Sequence, residues 1–209
     1  MEKQEEINPH NICIWKPEME CENCTITMNL KCHYNLGDLA RFIGLFLTFL
    51  IPAVVGVLMS GYGMYLPVWI VLAVLFFGFW EIKILCSHCP FYAEKGFLLH
   101  CNANYGLPKF WKYNPAPMST FEKIQLMVWF GIMFGFPFPF LIISKQYILL
   151  FLTFWGLSVF LWTLQKYTCT SCVNFSCPLN RVKKEVIDEF LMRNQIMKKA
   201  WGERGWKIS

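Results

Sequence analysis

Residues 41–59 read RFIGLFLTFLIPAVVGVLM, with no charge after Arg41. A helix rising 1.5 Å per residue needs about 20 such residues to cross roughly 30 Å of hydrocarbon. Buried helices of soluble domains seldom run this long without a polar face. Three further stretches have the same character: residues 64–85 (MYLPVWIVLAVLFFGFWEIKIL), 124–143 (IQLMVWFGIMFGFPFPFLII) and 147–164 (YILLFLTFWGLSVFLWTL). The fold class expected is therefore all-α, an integral membrane four-helix bundle. Composition agrees. Hydrophobic residues make up 56% of the 209 and charged residues 16%, whereas soluble domains carry roughly 45–50% and 25%.

The connections pair the spans into hairpins. Ser60, Gly61, Tyr62 and Gly63 make one tight turn, and Ser144, Lys145 and Gln146 the other. All remaining sequence falls on the opposite side. The chain thus divides into a Cys-rich N-terminal segment (1–38), a first hairpin (39–85), a Cys-containing loop (86–123), a second hairpin (124–164) and a tail (165–209). Of 19 Lys and Arg, only Lys145 lies on the side of the short turns. The excess of basic residues on the cytoplasmic side of membrane proteins then places both termini and the long loop in the cytoplasm of a multi-pass cell-membrane protein. Arg41, Lys83, Lys123 and Lys166, which flank the spans closely, all agree. The acidic, polar residues 1–11 hold no apolar signal-peptide core, so no cleavage is expected there.

The hairpins resemble each other. Gly44 precedes Pro52 by eight residues in the first span, and Gly131 precedes Pro139 by the same interval in the third. Beyond the second span comes Lys83-Ile-Leu-Cys86-Ser-His-Cys89, and beyond the fourth Lys166-Tyr-Thr-Cys169-Thr-Ser-Cys172, each just after a tryptophan (Trp80, Trp162). Parallel repeats of this kind are related by an axis along the membrane normal. Such an axis would bring the two C-x-x-C pairs together beneath the bundle.

All ten cysteines lie on the side assigned to the cytoplasm. They form three groups: Cys13, Cys21, Cys24 and Cys32; Cys86, Cys89 and Cys101; and Cys169, Cys172 and Cys177. Each group holds one C-x-x-C, the spacing at which two thiolates on a turn share a metal ion. The cytosol is reducing, so structural disulfides are not expected. Sulfur-rich sites select zinc, cuprous copper or iron–sulfur clusters over hard cations. One four-sulfur site is expected from Cys13, Cys21, Cys24 and Cys32. A second is expected from Cys86, Cys89, Cys169 and Cys172 across the pseudo-twofold axis. Cys101 and Cys177 would be left over, to join a three-cysteine set with a histidine such as His100 or to ligate a larger cluster. Three chemistries fit the thiols: structural zinc, an iron–sulfur cluster, or thiol–disulfide exchange. The C-x-x-C-x-x-C run of bacterial ferredoxins is absent, which argues against that fold but not against a cluster. Exchange would need one exposed thiol of low pKa. His88, between Cys86 and Cys89, is a candidate hydrogen-bond donor to a cluster.

No histidine lies within a span, which excludes a bis-histidine haem in the bundle, and no charge sits near mid-membrane, which argues against ion-coupled transport. G-x-x-x-x-G-K-[ST], H-E-x-x-H and G-x-S-x-G are all missing. No catalytic residues are assigned and no nucleic-acid partner is expected.

Residues 107–118 (LPKFWKYNPAPM) mix basic and aromatic side chains with three prolines. They read as an extended interfacial segment or a docking surface for a partner. In residues 180–201, Val182, Val186, Phe190, Met197 and Trp201 share one stripe of a helix. From 178 onward the tail has eight basic and four acidic residues. It suits an amphipathic helix lying on anionic lipid, or one packed over the metal sites. Two functions follow. The chain is a redox or accessory subunit of a membrane complex carrying iron–sulfur or zinc centres, or a membrane scaffold stapled by zinc.

Overall fold

The computed structural model describes residues 7–16 and 24–208. Four long apolar helices dominate it: α1 (Leu36–Met59), α2 (Gly63–His88), α3 (Thr120–Ile143) and α4 (Tyr147–Thr168). Two short ones follow, α5 (Lys184–Arg193) and α6 (Gln195–Glu203). No strands form among the described residues; a single antiparallel bridge joins Leu98 and Pro108. Each long helix exceeds the stretch read from hydropathy by a few residues, α1 and α3 at capped N-terminal ends, α2 and α4 through a last 3₁₀ or π turn. The Asn35 side chain accepts from Gly37 N (2.7 Å) and Asp38 N (3.3 Å) at the start of α1. At the start of α3, Ser119 and Glu122 form a capping box. Ser119→Ala is expected to lower the stability of the detergent-solubilised protein by about 1 kcal/mol, measured as a fall in thermal unfolding midpoint.

Both tight turns form where the sequence places them. Gly61 takes φ +81° between α1 and α2, a conformation that suits a residue without Cβ, and Lys145 takes φ +58° between α3 and α4. The helices are not regular throughout. A π turn at Phe76–Trp80 interrupts α2. Pro137 restarts α3 after Gly135, since proline cannot donate to the preceding turn. The last turn of α4, Leu164–Thr168, is again π.

Aromatic packing builds the bundle core. Phe49, Trp69, Phe76, Leu126 and Met133 are buried there. Trp69 stacks on Phe136 at 5.4 Å and donates its indole N–H to Met133 O at 3.1 Å, while Phe76 stacks on Trp129 at 5.6 Å. Such ring pairs add about 0.5–1.5 kcal/mol each beyond their burial. Outward, Ile51, Leu58, Val68, Ile70, Ile148, Phe151 and Trp155 stand exposed along the helices. Soluble monomers rarely expose so large an apolar surface. The chain has the character of a multi-pass membrane protein.

A second core lies beyond the ends of α2 and α4. There Ile12, Ile14, Ile26 and Leu30 pack with Phe91, Tyr92 and Leu99 of the loop, with Val173 and Phe175, and with Ile187, Phe190, Leu191, Met197 and Trp201 of the tail. The apolar stripe of the tail is thus spent inside the protein. The tail is two helices and not one. Asn194, at φ −122° and ψ 85°, breaks the helix expected over 180–201. The 107–118 segment folds back on α2: Trp111 N and O both bond Tyr92 Oη, at 3.0 and 2.9 Å, and Phe110 stacks on Phe79 at 5.1 Å.

Candidate metal centre

Cysteines follow the ends of both α2 and α4, and Cys86 and Cys89 are buried in the second core. Cys86 opens the final 3₁₀ turn of α2, and Cys89 follows it in extended conformation. Cys101 sits in the loop beyond. The π turn ending α4 is closed by Cys169 N bonding Leu164 O at 2.9 Å, and the chain then loops through Cys172 and Cys177. Asn174 locks this loop to α2 by donating to Leu85 O at 3.1 Å. Asn180 holds it internally, donating to Cys172 O (2.8 Å) and Asn174 O (3.0 Å).

The sulfurs are close enough for the charge on one to act on another. Cys89 feels Cys172, Cys101 and Cys177, in that order; Cys172 feels Cys177 and Cys101; and Cys177 feels Cys169. The influence across the hairpins therefore runs between Cys89 and Cys172. It also draws in Cys101 and Cys177, the two cysteines that sequence spacing left over. Burial pushes the Cys172 thiol up to about 12, and Cys169 and Cys177 each up to about 11, with neighbouring thiolates adding to the rise. Cys89 and Cys101 are likewise raised, chiefly by burial. Without a cation these groups are neutral thiols. Among the described residues, no three His, Cys, Asp or Glu side chains converge on one point where a metal ion could sit.

Backbone amides nevertheless point at the sulfurs. Phe91 donates to Cys89, Asn174 to Cys172, and Leu179 and Asn180 to Cys177. Cys101 receives Ala103 and Asn104, the latter at 3.1 Å. The Asn104 side chain reaches both Cys86 Sγ and Glu81 Oε2, each at 3.3 Å. Glu81 is buried, and its carboxylate stands among the thiols.

Cys13, Cys24 and Cys32 line a cavity of about 250 Å³ with Arg193 and Lys16. Arg193 feels the charge of both Cys24 and Cys13. Cys21 lies outside the described residues. Asn194, wholly buried, positions Cys13: its Oδ1 accepts from Cys13 N at 2.7 Å and its Nδ2 donates to Cys13 Sγ at 3.2 Å. Lys31 N donates to Ser171 O at 2.8 Å, joining the N-terminal segment to the tail loop. None of Cys24, Cys86, Cys89, Cys101, Cys169, Cys172 and Cys177 is in a disulfide.

The histidines have other partners. His88 is buried; its Nδ1 meets Ala116 O at 2.5 Å and its Nε2 lies 3.5 Å from Glu122 Oε1. Both ring nitrogens face the start of α3, so His88 ties two helices together. His100 Nδ1 bonds Glu94 Oε2 at 2.7 Å.

Sequence reading passed over Asn104, Asn174, Asn180 and Asn194, which order the thiol loops. Asparagine between cysteine-bearing stretches is their only sequence signal, and it is shared by any turn. Hydropathy likewise concealed an apolar cavity of about 570 Å³ in the bundle, lined by Phe46, Phe49, Trp69, Phe77 and Phe134 among others. Its one polar group, the Trp69 N–H, is already donated within the bundle.

Comparison with protein-family models, with curated proteins and with solved structures finds no match to this chain.

Proposed function

We propose that this chain is a multi-pass membrane metalloprotein whose cysteines hold metal on the cytoplasmic face, serving as a redox (electron-transfer) or accessory subunit of a membrane complex. The observation that carries the reading is the buried gathering of thiols from both hairpins, with backbone amides directed at their sulfurs. Amide hydrogen bonds favour a thiolate over a thiol. Thiolates at this depth need a cation to offset their charge, and metal binding would supply it while releasing the protons. The N-terminal cysteines Cys13, Cys24 and Cys32, with Cys21, would form a second centre. The pseudo-twofold repeat gains support from the span ends, where Lys83 lies 5.3 Å over Trp80 and Lys166 lies 4.7 Å over Trp162. Both termini would be cytoplasmic, given the single basic residue among the short turns.

Iron–sulfur chemistry gives the chain a role as a one-electron carrier, with its partners elsewhere in the complex. Structural zinc is the second reading. It is favoured by the packing of Cys32, Cys86 and Cys89 where the N-terminal, loop and tail segments meet, a place where a metal staple would hold three segments at once. Thiol–disulfide exchange is less supported. Burial raises these thiols, whereas the attacking species is an accessible thiolate.

The test is metal content and visible absorption of the protein purified anaerobically in detergent. Iron with acid-labile sulfide and a brown colour is the expected result. Zinc alone would make the centres staples, and absence of any metal would defeat the metalloprotein reading.

A further inference from the structure

At the end of the bundle that carries the cysteines, two helix seams are built differently. Where α2 ends beside the start of α3, buried His88 bridges them, with Nδ1 on Ala116 O and Nε2 3.5 Å from Glu122 Oε1. Where α4 ends beside the start of α1, a cavity of about 280 Å³ opens instead. In the register of the two K-x-x-C-x-x-C strings, Ser171 takes the place of His88. Its hydroxyl turns back to Tyr167 O at 3.4 Å.

The cavity is amphipathic. Phe42 and Leu45 of α1 and Phe160 and Leu164 of α4 line it on the side of the spans. Lys31, Asp38, Arg41 and Thr168 line it on the side away from them. Lys31 Nζ donates to Asp38 Oδ1 at 2.8 Å, which leaves Arg41 as the charge in excess. The Arg41 guanidinium lies 3.7 Å from the same oxygen, too far for a hydrogen bond, and its side chain is 69% exposed. Exposed Trp162 and Tyr167 mark the depth, with Lys166 lying over them at 4.7 and 5.7 Å. Such rings favour the headgroup level of a bilayer.

We propose that this cavity seats the headgroup of an anionic phospholipid, with its phosphodiester on Arg41 and Lys31 and its glycerol and first methylenes against Phe42, Leu45 and Phe160. Basic pockets between spans at this level suit anionic headgroups. The guanidinium fork matches a phosphate with two parallel N–H bonds. One positive charge in excess favours a headgroup of net negative charge over a zwitterionic one. Ligand pockets commonly hold about 300–1,000 Å³, so a cavity of this size takes a headgroup and leaves the acyl chains among the surrounding lipid. The inference rests on the multi-pass character of the chain and is independent of any metal.

The experiment is native mass spectrometry of the full chain in detergent, titrated with phosphatidylglycerol or with phosphatidylcholine of the same acyl chains. Wild type is expected to retain one phosphatidylglycerol in preference to phosphatidylcholine. R41Q, at an exposed side chain, should bind it about tenfold more weakly through loss of a charge-assisted contact. Lys166 lies at the same end of α4 but outside the cavity, so K166Q should stay within about twofold of wild type, the effect of a screened surface charge. Equal losses in R41Q and K166Q would reduce the site to diffuse attraction and overturn it. Equal retention of the two lipids, or of neither, would also overturn it. Excess inorganic phosphate should leave the lipid bound, and displacement would make the cavity a site for a soluble anion instead. Metal content of the same samples reports separately on the metalloprotein reading, so a wild type without metal that still selects phosphatidylglycerol would defeat that reading alone.

Discussion

Gly156→Val is expected to prevent α4 from docking on α1, lowering stability by about 3 kcal/mol or more, the upper range for overpacking. At Gly156 a Cβ atom would press into the carbonyl oxygen of Thr48 and stand 2.6 Å from its carbon and 2.9 Å from Phe49 N. These are backbone atoms of the facing helix, so no rotamer change relieves the clash. The helices would have to part. Close approach through small residues is how helices associate in lipid, where burial from water contributes little. Parting α1 from α4 would also uncover Phe160, buried between the rings of Phe42 and Phe46 at 5.7 and 5.6 Å. Gly131→Ala is the control: an added Cβ there meets nothing within 4 Å. Thermal unfolding in detergent, followed by circular dichroism, should show a large fall for the first and none for the second. Equal midpoints would mean that α1 and α4 do not cross at this glycine.

The same pair of glycines shows what a sequence can and cannot disclose. Span length, turn positions and the end of the bundle where the cysteines gather all follow from local composition, and the structure has the four helices and both turns. Gly44 and Gly131 stood out in the sequence because each precedes a proline by eight residues, yet neither meets a neighbour. Gly156 and Gly56, which do, carry no such mark. Which glycine is a contact depends on which helices become neighbours, and hydropathy is blind to that when every face is apolar. The candidate site divides similarly. The C-x-x-C pairs announce themselves by spacing. The participation of Cys101 and Cys177 depends instead on loops ordered by Asn104, Asn174 and Asn180, whose partners are 89 residues away in the case of Asn174 and Leu85.

Asn194→Ala should release the N-terminal cysteine segment from the tail. Several hydrogen bonds converge on this buried residue. Its carboxamide accepts from Cys13 N and donates to Cys13 Sγ and Phe190 O, the last at 2.7 Å, while its backbone carbonyl accepts from Lys198 N at 2.9 Å to start α6. Asparagine competes well for backbone partners and poorly for helix, which explains why the tail breaks here. Alanine would favour a continuous helix and leave Cys13 N and Phe190 O without their partner, a loss of about 1–3 kcal/mol for each group stranded away from water. The local opening energy of residues 11–16 would fall by about 2 kcal/mol, which corresponds to about 30-fold faster alkylation of Cys13 in metal-free protein. Hydrogen exchange over the same residues should rise in parallel. The nest around Cys89 and Cys172 is held by Asn174 and Asn180 instead, so thiol protection there should be unaffected. Faster alkylation at Cys13 with unchanged protection at Cys172 would show two separately ordered thiol sites. An unchanged Cys13 rate would mean that the segment is anchored without Asn194, by contacts such as those of Ile12 and Ile14 in the same core and of Trp15 with Pro90 O.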